Sequence, residues 1–178
     1  MILLYYCFNY YKIIILEGEI NLNWKTKALI QNAIAFLPSN LSYKLYFLLQ
    51  SKFGGLQNIN HLYYLKAAKK VLDHIIEFNH SPVDKTFFEL GTGRIVMLPM
   101  CYWLAGAKKT ITVDLNPYLV EDLVLQNVRY LFDNEKQVLE LFDGLIQKER
   151  WELLKSFVKN EKKLLLNAVL NLFCIDYI

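Results

Sequence analysis

The chain has 178 residues, 54% of them apolar, and carries 20 basic and 17 acidic side chains for a net charge of +3. That length holds one domain of ordinary size with an extension, and the apolar content excludes a disordered tail. So even a balance of charge gives no nucleic-acid signal, which would need a clustered basic face.

The chain opens on MILLYYCFNYYKIIIL, strongly apolar over residues 1–16. Asn9 and Lys12 interrupt the run, which stops short of the roughly 20 residues a membrane-spanning helix needs. It also lacks the basic start and small-residue cleavage site of a secretory signal. Its β-branched and aromatic content suits a strand or an irregular packed arm. Contact of residues 1–16 with a membrane is the less favoured alternative.

From about Asn23 to Phe78 the pattern is helical. Leu41, Leu45, Leu48 and Leu49 follow helical spacing after a break at Pro38-Ser39-Asn40, where Ser39 or Asn40 can cap the new helix. Gly54-Gly55 ends it. A further helix runs from His61 to Phe78, with Leu62, Leu65, Leu72, Ile75 and Ile76 on one stripe. Residues 1–80 therefore read as a mainly helical extension or cap, and residues 81–178 as a second, α/β domain.

That second domain begins after Ser81-Pro82. TFFEL is a short apolar run ending near glycine, as a buried strand does. IVMLPMCYWLAGA is too long and continuous for a strand and reads as a buried helix. Pro99 is tolerated if the helix begins near residues 95–98, because first-turn amides have no intrahelical acceptor. Gly106 closes the helix, and TITVDL follows as an alternating, β-branched strand. Strand, glycine turn, helix and strand make a βαβ unit with parallel neighbours. Asn116-Pro117 starts a helix over 118–130. Val138, Leu141, Phe142 and Leu145 form another helical stripe. A single helix is expected from Trp151 to about Leu172, and residues 174–178 read as a third short strand.

Cys7, Cys101 and Cys174 are far apart, with no CxxC pair. They suggest apolar fillers in a reducing compartment, hence a cytoplasmic protein. His61, His74 and His80 do not fall at metal-binding helical spacing, so no metal site is expected.

The chemistry-bearing stretch is FFELGTGR, followed by ITVDLNPYL. In an open parallel sheet, ligands bind beyond the carboxyl ends of the strands. Gly91 and Gly93 let the backbone turn sharply there and let a flat ligand approach it. Asp114 ends the neighbouring strand at the same rim, where a carboxylate can accept from both hydroxyls of a ribose. A dinucleotide fingerprint needs a small residue where Val96 stands, so that pattern fails. No GxxxxGK[ST] phosphate loop is present.

These two segments resemble the first two motifs of the class I S-adenosylmethionine-dependent methyltransferases over about residues 85–125. The resemblance implies a partial Rossmann-like parallel sheet of two or three strands and S-adenosylmethionine as cofactor. It implies that Glu89 sits near the methionine amino group, that Gly91, Thr92 and Gly93 line the cofactor, that Asp114 holds the ribose and that Leu115 lies beside the adenine. Ile95 departs from the family's third glycine. Arg94, Asn116 and Tyr118 flank the implied pocket. The family's strand order is 3-2-1-4-5-7-6, and its general bases follow the fourth strand. This chain therefore reads as the front part of such a domain, with no catalytic residue to name, an unknown methyl acceptor and an open sheet edge through which it can associate. The alternative is a non-enzymatic α/β remnant or partner-binding module without cofactor.

Overall fold

The structure, a computed structural model, describes residues 2–4, 23–53, 56, 58–115, 117–160 and 165–178. Most of the apolar N-terminal run, Gly54-Gly55, the side chains of Ser39 and Asn40, and Asn116 lie outside the described residues. Among the described residues no helix is long and apolar enough to cross a membrane.

The elements in chain order are β1 (Ile2–Leu4), α1 (Trp24–Ala35), α2 (Ser39–Phe53), α3 (His61–Glu77), β2 (Thr86–Leu90), α4 (Met97–Leu104), β3 (Lys109–Val113), α5 (Glu121–Asp133), α6 (Glu135–Phe142), α7 (Lys148–Asn160), α8 (Leu166–Leu172) and β4 (Ile175–Tyr177). The chain divides into two compact units. One joins Met1–Tyr5 to His61–Ile178, and the other is Tyr6–Asn60. In the second unit, α1 packs on α2. Asn23 caps α1 by accepting from the Lys25 amide at 3.2 Å, and α2 opens directly behind Pro38, whose carbonyl accepts from the Leu41 and Ser42 amides.

The first unit is mixed α/β. Its open sheet is wholly parallel, in the order β1-β2-β3-β4. The expected βαβ unit is β2-α4-β3, and the expected third strand is β4, beside β3. Beyond the two or three strands expected, β1 pairs with the other side of β2. It borders the strand whose edge the sequence left open.

Alternation sets the sheet's inner face. Phe87 and Glu89 of β2 are buried, as are Thr110 and Thr112 of β3, and they pair across the strands as Phe87 with Thr110 and Glu89 with Thr112. Phe87 stacks on Tyr102 of α4 at 4.5 Å between ring centroids. Helix α4 buries nearly every residue it has, as a helix apolar all round must. Pro99 falls in its first turn, as the sequence required.

The expected boundary near residue 80 shifts to 60/61, because α3 belongs with the sheet. Its Leu65, Ala68, Leu72 and Ile75 are buried and it packs on α4, whereas Ile76, expected on that stripe, is 41% exposed. The single helix expected over 151–172 is two. The polar run from Lys159 to Lys163 offers no apolar anchor, and Leu165 is extended (φ −106°, ψ 146°) before α8 begins. Cys101 is buried as expected, but Cys174 is exposed and takes a left-handed conformation (φ 49°).

Because Leu72 is fully buried in the sheet unit, Leu72→Ala is expected to lower the stability of that unit by about 2–5 kcal/mol. Leu41→Ala, at a site 53% exposed, is expected to change stability by less than about 0.5 kcal/mol. Urea unfolding followed by circular dichroism checks both, and equal effects would contradict this division of the core.

Candidate functional site

The glycine turn leaves β2 at Leu90. The Gly91 amide donates to the Val113 carbonyl at 2.9 Å, which extends the β2–β3 ladder by one rung. Gly91 and Gly93 both have positive φ, 75° and 67°, a region that side chains with a Cβ rarely enter. A Cβ built on Gly91 would meet nothing within 4 Å, so the space beside Gly91 is open among the described residues.

The Gly93 amide points at the end of β3. It donates to both oxygens of Asp114, at 3.2 Å and 2.9 Å. The two features that the sequence placed on one rim are thus in direct contact. The Asp114 backbone is fixed in turn from β4, by its amide donating to the Ile178 carbonyl at 3.0 Å and by the Ile178 amide donating to the Thr112 carbonyl at 2.9 Å.

Glu89 lies one strand position inside this rim. It is 7% exposed, and its Oε2 is buried without a hydrogen-bond partner. Burial raises its carboxyl from the ordinary 4.5 to about 7; a hydrogen bond with Thr92 opposes the rise, and the Asp114 charge adds to it. Thr92 is also buried, and its hydroxyl is hydrogen-bonded to that of Thr112. The alternation that puts Glu89 on the inner face puts Thr112 beside it.

The loop after β3 is held from two sides. The Tyr118 amide donates to the Tyr177 hydroxyl at 2.9 Å. Arg94 donates to the Tyr118 carbonyl at 3.3 Å and lies 5.5 Å from the centre of its ring. Burial, with the Asp114 carboxylate nearby, pushes the Tyr177 phenol up to about 12. Leu115, expected beside an adenine, is 96% exposed. Ile95, at the place of the family's third glycine, is buried.

Glu89, Gly91, Thr92, Gly93 and Asp114 therefore come together at the carboxyl end of β2 and β3, and Leu115 stands at the margin. Sequence reasoning missed Thr112 and Tyr177. Thr112 could have been found from the alternation in TITV, but Tyr177 depends on the β3–β4 register, for which a three-residue strand carries no signal.

No protein-family model, curated protein or solved structure matches the chain.

Chemically, the site is rich in acceptors. Two carboxylates and two hydroxyls face a glycine turn, and no ion pair engages Glu89 or Asp114 among the described residues. Such a site suits a ligand that donates hydrogen bonds or carries positive charge.

Glu89 holds its proton to a higher pH in the folded chain than in the unfolded one. Its contribution to stability is therefore lost as pH rises from about 4.5 through about 7. Glu89→Gln removes that dependence. Relative to the parent chain, the variant is expected to be more stable at about pH 8 than at about pH 5, by on the order of 1–3 kcal/mol. Urea unfolding at the two pH values reads the difference, and an unchanged gap would mean that Glu89 ionises as it does in water.

Proposed function

We propose that the unit containing residues 61–178 is a Rossmann-like, S-adenosylmethionine-binding domain of the class I methyltransferase type, with the methyl acceptor left open. The observation that carries this reading is the contact between the Gly93 amide and the Asp114 carboxylate at the carboxyl rim of neighbouring parallel strands. Strand order supports it. Reading β4-β3-β2 matches the family's 3-2-1 order, and β1, a segment ahead of the motif, lies on the side where the family has its fourth strand.

Each residue has a task in this reading. Gly91 leaves its outer side open for the ligand's approach. Asp114 uses lone pairs left over from the Gly93 amide to accept from ribose hydroxyls, since a carboxylate has about four acceptor positions. Glu89 supplies a buried acceptor for the ligand's amine, and Leu115 offers an apolar surface to the adenine. Bound S-adenosylmethionine would bring a methyl group on a positively charged sulfur. The chain's own part is to align and desolvate it, and positioning of this kind is worth about 7–11 kcal/mol in favourable cases. No residue is assigned as a general base, and none is needed unless the acceptor must lose a proton.

A second reading draws on the same contact. Asp114 already satisfies the Gly93 amide, so the turn closes on itself without a ligand, as it would in a non-enzymatic partner-binding module.

Calorimetric titration separates the two. S-adenosylmethionine and S-adenosylhomocysteine are expected to bind in the micromolar range. Asp114→Ala is expected to weaken both about 10–100-fold, the equivalent of one or two hydrogen bonds to a charged group, with the circular dichroism spectrum retained. No heat with either compound, together with concentration-dependent association of the chain, would favour the module.

A further inference from the structure

Among the described carboxylates, Glu89 alone has a buried oxygen without a hydrogen-bond partner. Burying an ionised carboxylate whose second oxygen is left unpaired costs far more than burying the neutral acid, so Oε2 calls for a cation or a proton. Among the described residues, the surroundings supply no cation. From β3, Glu89 faces Thr112, and Asp114 lies at the strand's end. From the turn it faces Thr92. Arg94, two residues further on, is directed to the Tyr118 carbonyl and ring. From β4, Tyr177 bears on Asp114. The register partner of Glu89 in β1 is Leu4, and α4 sets Tyr102 on Phe87, the next inward-facing residue of β2. Asp114 is the charge nearest to hand, and it is negative.

We propose that the site exchanges a proton for a cationic amine: an adenosine ligand carrying an ammonium group displaces the Glu89 proton to solvent, so its binding tightens as pH rises. The step balances. The neutral Glu89 acid loses one proton to the buffer, the carboxylate pairs with the ligand's ammonium group, and no other bond changes. The inference rests on the nucleoside-binding reading given above and adds to it the regulation of that site by pH.

The test uses the full chain and two ligands, S-adenosylhomocysteine and 5′-methylthioadenosine, a thioether nucleoside without an amine. Each is titrated calorimetrically in phosphate and in Tris, whose heats of ionisation differ, so that the difference counts protons released. For S-adenosylhomocysteine, release of about half a proton to one proton is expected between about pH 6 and about pH 7, falling toward zero by about pH 8. Affinity should rise on the order of tenfold per pH unit below about pH 7 and then level off. 5′-Methylthioadenosine should release none and bind independently of pH, and Glu89→Gln should abolish release with S-adenosylhomocysteine. The first measurement needs no variant, so a Glu89→Gln chain that fails to fold leaves the test intact. S-adenosylhomocysteine binding without proton release overturns this inference and leaves the nucleoside reading standing. Equal release with both ligands also overturns it, because the amine would not be the cause. Binding of neither compound overturns both.

Discussion

A backbone amide at the end of one strand is held by the carboxylate at the end of the next. The Gly93 N–H is partly buried, and a buried amide without an acceptor costs on the order of 1–3 kcal/mol. Asp114 supplies the acceptor, and it does so only because β2 and β3 run parallel with Leu90 opposite Val113. One residue beyond that pair, the two chains must diverge, β2 into the turn and β3 into its loop. The hydrogen bond spans the divergence. The position of the turn, the opening over Gly91 and the aim of Asp114 all follow from it.

The inner face of the sheet changes character along its length. Toward the amino end it is apolar, with Phe87 stacked on Tyr102. Toward the carboxyl end it presents Glu89, Thr92 and Thr112. A strand that only had to pack would carry a β-branched residue where Glu89 stands, since a buried carboxyl group without a full set of partners lowers stability. The expense is tolerable because α3 and α4 bury so much apolar surface against the same unit. Local rules broken in this way, one strand position from an open glycine turn, are where functional sites concentrate.

What could be read from the sequence was whatever depends on neighbours in the chain. TFFEL and TITV alternate with a period of two, the intervening apolar run is too long for a strand, and the glycines mark where the backbone turns. Parallel connection then places both strand ends on one edge without any knowledge of register, so Gly93 and Asp114 could be brought together in advance. Features set by distant contacts could not. Strand β1 pairs with β2 across more than eighty residues of chain, and nothing in its apolar run names that partner. Helix α3 was separated from the sheet by the turn at Ser81-Pro82, yet its stripe of Leu65, Leu72 and Ile75 is buried in the sheet unit. Tyr177 reaches the site by a register that three residues of strand cannot announce.

The departure at Ile95 bears on which ligands the rim can take. A phosphate group is held by the free amides at the start of a helix, and the chain must leave those amides uncovered. Here Ile95, Val96 and Met97 are all buried, so the start of α4 is anchored by core packing rather than opened to solvent. Val96 among them stands where a dinucleotide fold needs a small residue for close packing of helix on strand. What the rim keeps accessible is its other half, the open side of Gly91 with Asp114 across from it and Glu89 behind. Negative charge on a ligand would meet the Asp114 carboxylate and the buried Glu89 carboxyl group there, while ribose hydroxyls and an ammonium group would meet acceptors. Isoleucine at position 95 therefore weighs against phosphate-bearing nucleotides more heavily than against a nucleoside joined to an amino acid, which has no phosphate to place.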